Sequence, residues 1–157
     1  MRIWLKDIVI TLVVVVAGWA AVGCSGDVVN SYSDYSPLPS YGWTYTDVRQ
    51  FNVTHRDSVC SGTLVVGLRH NGDYPYTDIQ LGVEYSDGDN LRHDTLTVAL
   101  SDSFGKWIGN GVGYSFQVTD TVGRIRHHIS GSPVRVRHLM RCDTLPGISQ
   151  IGVFFIP

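Results

Sequence analysis

From residue 58 onward, apolar side chains recur at every second position, and glycine-rich turns cut the runs into short pieces. Cys60, Leu64, Val66 and Leu68 share one parity within 58–70, and Thr63, Val65 and Arg69 take the other. Side chains of a strand point alternately to its two faces, so this pattern commits the segment to a half-buried strand and excludes an amphipathic helix. Ile79, Leu81, Val83 and Tyr85 repeat the pattern, as do Leu96, Val98 and Leu100, then Tyr114, Phe116 and Val118, and finally Ile151, Val153 and Phe155 within 149–156. Phe51 and Val53 mark an earlier strand over about 47–54. Residues 124–129 and 133–142 read as a hairpin around Ser130-Gly131-Ser132. Glu84 is the sole glutamate, and Lys6 and Lys106 are the sole lysines, a composition poor in helix formers. The expected fold is all-β: an antiparallel β-sandwich of about eight short strands, with a barrel as the alternative.

The N-terminus follows a different pattern. Arg2 and Lys6 precede an apolar run over 8–22 in which Thr11 is the one polar side chain. The run is shorter than the ~20 residues of a membrane-spanning helix but suits a secretory signal. Ala21-Val22-Gly23-Cys24 then resembles a bacterial lipobox, in which the cysteine thiol is lipidated, the chain is cut before it and the new amine is acylated, with palmitate as the expected chain. The alternatives are an ordinary cleaved signal with a chance cysteine, or an uncleaved anchor helix. Three segments are expected: 1–23 a lipoprotein signal peptide, 24–42 a lipidated N-terminus and tether, and 43–157 the β-sandwich domain. The tether is rich in Ser, Asp, Asn and Tyr, lacks periodicity, and is expected to be mobile or loosely docked.

Charge and cysteine usage narrow the class. The whole chain carries a net −2; without Arg2, Lys6 and Asp7, which sum to +1, the remainder carries −3. That is not a nucleic-acid-binding composition. With Cys24 lipidated, Cys60 and Cys142 remain, and in an oxidising compartment they are either a disulfide or two buried thiols.

Catalytic and ligand-binding motifs are absent or fail in context. Gly109-x-Gly111-x-Gly113 precedes a strand-like alternation and not a helix, so it reads as a bulged turn and not as a phosphate loop. Six histidines (His55, His70, His93, His127, His128, His138) show no ligand spacing, and no metal or cofactor is expected. There is no G-x-S-x-G elbow and no H-E-x-x-H, so no enzyme and no catalytic residue is assigned.

Two sets of residues point to binding. Tyr74, Tyr76 and Trp107 fall in loops, where aromatics serve as a carbohydrate platform or a protein hot spot, or cap the end of a sandwich. Residues 123–142 hold no acid but contain Arg124, Arg126, Arg135, Arg137 and Arg141. If 124–129 pairs with 133–142, parity gathers these arginines on one outer face with His128, opposite Ile125, His127, Val134, Val136 and His138. Such a face invites an anionic partner, bound through the planar guanidinium fork, or aspartates elsewhere on the domain.

Four stretches, in order, resemble the gliding-motility lipoprotein H family (GldH). They are Tyr32-x2-Tyr35-x2-Leu38-Pro39 with Trp43 and Phe51; Asn71-x2-Tyr74-Pro75-Tyr76-x-Asp78; Asp94-Thr95-Leu96 with Asp102-x2-Phe104-Gly105-Lys106-Trp107-Ile108-Gly109-Asn110-Gly111; and Met140-Arg141 with Leu145-Pro146-Gly147-Ile148-x2-Ile151-Gly152. The resemblance implies a cell-envelope lipoprotein, expected at the outer membrane by its lipid, with the side it faces left open. It implies service to surface gliding and the associated type IX secretion machinery through contacts with other envelope proteins, and neither catalysis nor a cofactor. Tyr74, Pro75, Trp107 and Gly111 then read as loop-shaping or docking positions. The alternative function is a surface lipoprotein binding carbohydrate through its loop aromatics.

Overall fold

A computed structural model describes residues 31–157. The signal peptide and Cys24 lie outside the described residues. Eleven strands follow in chain order: β1 (Tyr32–Pro37), β2 (Trp43–Thr44), β3 (Arg49–Asn52), β4 (Val59–Asn71), β5 (Asp78–Asp87), β6 (Asn90–Ala99), β7 (Asn110–Val112), β8 (Ser115–Ile129), β9 (Pro133–His138), β10 (Thr144–Leu145) and β11 (Ile148–Ile156). All pairs are antiparallel. A five-stranded sheet runs β1-β11-β4-β8-β7, a four-stranded sheet runs β3-β9-β5-β6, and β10-β2 forms a short clip.

The alternation read from the sequence fixes which side chains meet between the sheets. Leu64, Val66 and Leu68 of β4 and Ile151, Val153 and Phe155 of β11 face Ile79, Leu81 and Val83 of β5 and Val134 and Val136 of β9, and all are buried. Each such side chain contributes about 1.5–3 kcal/mol by leaving water, which is what holds two sheets of modest size together.

The stretch expected to be a tether contains β1, which pairs with β11 from Tyr32↔Phe155 to Pro37↔Gln150. What docks it is a trench on the outer face of the larger sheet, floored by Gly67 and Gly152, which pair side by side. Tyr35 lies across both: a Cβ at Gly152 would come within 2.6 Å of its ring carbons, and one at Gly67 within 2.6 Å of its hydroxyl oxygen. Arg69 stacks 4.6 Å over the Tyr35 ring and Phe154 meets it edge-on at 5.4 Å. An aromatic laid over strand glycines supplies the contact that the glycines lack.

The expected hairpin of 124–129 with 133–142 does not form. β8 belongs to the five-stranded sheet and β9 to the four-stranded one, so 130–132 crosses between sheets. The crossing is tied to the 53–58 loop: Ser130 N–H donates to Ser58 O, Gly131 N–H donates to Val53 O at 2.7 Å, and Ser130 Oγ accepts from His55 N–H and donates to His55 O, both at 3.0 Å. Crossing lets both strands bury an apolar face against the other across the core, which in-plane pairing forbids. β8 is also one strand of fifteen residues, with register shifts opposite Leu64/Val65 and Cys60/Gly62. The second shift reverses parity, so Ile125 and His128 both point inward and His127 points out, opposite to the regular alternation. Arg126 and His127 present their freed amides to Asp87 Oδ1, at 3.1 and 2.8 Å. These bonds, His127's first, hold the Asp87 carboxyl below its usual pKa.

Candidate functional site

The outer face of the four-stranded sheet carries two shallow hollows, and its geometry follows from the parity that buries the core. With Ile79, Leu81, Val83 and Tyr85 of β5 turned in, Gln80, Gly82 and Glu84 turn out. Register then sets rows across the strands. Gln50, Arg135, Glu84 and His93 stand side by side on β3, β9, β5 and β6, and the next row places Arg137, Gly82 and Thr95 together. In the first row charge is balanced locally: Arg135 Nη1 lies 2.6 Å from Glu84 Oε1, its Nε donates to Gln50 Oε1 at 3.1 Å, and His93 Nδ1 is 3.4 Å from Glu84 Oε2.

The second row is not balanced. Gly82 leaves a gap in the face, and Val48, Gly82, Glu84, His93, Arg137 and Leu139 are among the residues lining a hollow of about 270 Å³ over it. A methyl group at Gly82 would sit 3.4 Å from both Leu139 δ carbons and 3.5 Å from Arg137 Nε, so these side chains form the walls. Arg137 is exposed and its guanidinium, among the described residues, makes no ion pair or hydrogen bond. Leu139 also borders a second hollow with Tyr76, Gln80, Met140 and Arg141. The face therefore offers an unpaired guanidinium beside an apolar wall, the combination that receives a carboxylate next to an apolar side chain.

The predicted site residues divide. Arg135, Arg137, Arg141 and Tyr76 come together on this face. Arg124 and Arg126 are exposed on β8, in the other sheet, so the single arginine face expected from a β8–β9 hairpin is not present. His128, expected on that outer face, is fully buried. Tyr74 is buried too, and its hydroxyl donates to Asp78 O at 2.8 Å; burial, then Asp78, raises its pKa far above the usual phenol value. Trp107 meets His70 edge-on at 4.9 Å and leans on Phe116, so it caps the sandwich end. Cys60 and Cys142 are both free thiols. Cys60 sits opposite His128, whereas Cys142 lies five residues before Gly147, whose carbonyl accepts from Asn71 N–H beside His70. Cys60 and His70 are ten residues apart on one strand, a span of about 33 Å, whereas a disulfide needs Cα atoms within about 7 Å. The bridge is excluded by this topology. Gly82, Leu139 and Val48 were missed by sequence reasoning; a lone glycine in the outward row of a strand was the available signal. Among the described residues no three His, Cys, Asp or Glu side chains gather as metal ligands would.

The family-like stretches converge on the end of the sandwich where β4 finishes. Gly147, at φ +80°, presses on Tyr74, where a Cβ would lie 2.5 Å from the backbone nitrogen, and Gly147 O accepts from Asn71 N–H at 2.9 Å. Trp43 is fully buried beside His138 and pairs with Leu145. A family model for GldH lipoproteins matches residues 30–154. The chain belongs to the GldH lipoprotein family. As a member it is a gliding-motility-associated lipoprotein, held at a membrane of the cell envelope. No helix among the described residues is long and apolar enough to cross a membrane. No curated protein matches the chain. Among solved structures, an Eiger TNF from S. frugiperda aligns with a TM-score of 0.37 at 8% identity, covering 82% of this chain and 94% of that one.

Proposed function

We propose that this GldH family member is a non-enzymatic lipoprotein, anchored through Cys24, that serves the gliding and type IX secretion-associated machinery by holding another envelope protein. The docking face is the outer face of the four-stranded sheet, and the partner segment that enters it carries a carboxylate beside an apolar side chain. One observation carries the reading: Arg137 stands unpaired over the Gly82 hollow while its neighbour Arg135 is already neutralised by Glu84. A charge-assisted hydrogen bond to such a group is worth about 1.5–3 kcal/mol, so its loss weakens capture at least tenfold.

The test is complementation of a deletion strain with Arg137→Glu. Arg135 is the poorer target, because reversing it sets two acids side by side at Glu84. Arg137→Glu is expected to accumulate to normal levels but to fail in restoring spreading and protein secretion, whereas Arg124→Glu, on the other sheet, restores both. Full restoration by Arg137→Glu overturns the assignment of this face.

A further inference from the structure

Sheet edges expose unpaired backbone groups, and folded chains ordinarily guard them with short strands, proline, bulges or covering side chains. Three of the edges here are guarded. β1 has six residues and ends in Pro37, β3 has four residues, and β7 has three. The part of β8 that runs past β7 carries the two register shifts, and Asp87 covers its amides at Arg126 and His127.

β6 is neither short nor interrupted by proline or a bulge. Its ten residues, Asn90–Ala99, pair with β5 in one unbroken register and contain no proline. No described strand pairs with its other edge. Seven of the ten positions are exposed, and Leu91 keeps 56% of its surface in contact with water. Charge guards an edge when like meets like. The charges near its centre, Arg92 and Asp94, have opposite sign and stand two residues apart, so a two-fold axis at His93 sets each against its opposite in a second copy.

We propose that two copies of this chain pair antiparallel through β6, with His93 facing His93 of the second copy across the axis. Arg92 then stands opposite Asp94 twice, Leu91 opposite Thr95, and Asn90 opposite Leu96. Facing residues of opposite charge stabilise a strand pair and like charges destabilise it, so the alternative centred on Asp94 is disfavoured. The four-stranded sheets merge into one continuous sheet, an isologous joint of the kind most homodimers use. The two Gly82 hollows end up on the same face of that sheet. The inference is independent of which partner the hollow receives.

Cysteine cross-linking of the full chain in its membranes tests the register. Residues facing each other across such a pair have Cβ atoms about 4.5–5.5 Å apart, close to disulfide geometry. Under copper phenanthroline, His93→Cys is expected to give a reducible dimer well above the wild-type background set by Cys60 and Cys142. Thr97→Cys, equally exposed but four residues from the axis, is about 26 Å from its symmetry mate and stays at background. Adding Arg92→Asp to His93→Cys sets acid against acid and cuts the dimer yield several-fold. Equal yields at 93 and 97, or a yield indifferent to Arg92→Asp, overturn the proposal. So does a monomer mass for the detergent-solubilised wild type at tens of micromolar.

Discussion

His128 makes the fold acid-sensitive by a calculable amount. It is fully buried on β8; its Nδ1 lies 3.0 Å from His55 Nε2, its ring packs 4.8 Å from that of Phe155, and its Nε2 has no partner. Cys60 stands opposite it on β4. Burial, and then the neighbouring His55, lower its pKa from 6.5 to about 4. A histidine depressed in the folded state binds more protons when unfolded. Its contribution is therefore complete above pH 6.5 and is lost as the pH falls toward 4. Each pH unit in that window costs about 1.4 kcal/mol, so acidification to pH 5 costs about 2 kcal/mol. With an m-value of about 2 kcal/mol/M, the urea midpoint drops by about 1 M between pH 7.5 and 5 on account of this residue. His70 and His138 are buried and depressed in the same direction, so wild type loses more in total. The assay is urea unfolding followed by tryptophan fluorescence for wild type and His128→Leu at both pH values. The variant is weaker at pH 7.5, because His55 loses its partner, but its acid-induced drop should be smaller by about 1 M. Equal drops in the two proteins refute the assignment to His128.

Two further predictions concern the family-like end and the anchor. Gly147→Ala is expected to lower stability by at least ~2 kcal/mol, measured by thermal melting, because it combines a left-handed φ of +80° with a Cβ placed against the Tyr74 backbone; an unchanged melting temperature contradicts that packing. Cys24→Ala is expected to leave an unprocessed precursor or to release the domain from membranes, read by fractionation and intact mass, and a normally processed, membrane-bound alanine variant contradicts lipidation there.

How much was legible follows from which interactions are local. The alternation in 58–70, 79–85 and 149–156 survives as β4, β5 and β11 because burial of one face dictates parity, and parity is written in consecutive residues. The tether was misjudged because what holds β1 is its pairing with β11 and one aromatic, Tyr35, laid over glycines, all far away in the chain. Its own residues show no period, and the trench becomes visible only when Gly67 and Gly152 are known to be neighbours. The 124–142 hairpin was misjudged for a related reason. A small turn at Ser130-Gly131-Ser132 fits an in-plane hairpin and an inter-sheet crossing equally well. The deciding bonds, from Ser130 and Gly131 to the 53–58 loop, join segments about 75 residues apart.

The site shows the same division and adds a consequence for function. Arg135 and Arg137 were legible as a pair because they sit two apart on one strand, and any strand puts them on one face. Whether that face is satisfied depends on the strand beside it. Glu84 and Gly82 are also two apart, and the β5–β9 register sets Glu84 against Arg135 and Gly82 against Arg137. One guanidinium is thereby paired and the other is left without a carboxylate beside it. A register slip of two residues that set Glu84 against Arg137 would leave Arg135 opposite Ser86, moving the unpaired guanidinium away from Gly82. The shape and charge of this surface are thus a property of strand register, fixed by the burial of Leu81 and Val83 on the opposite side of β5, and core substitutions at those positions act on the hollow as well as on the fold.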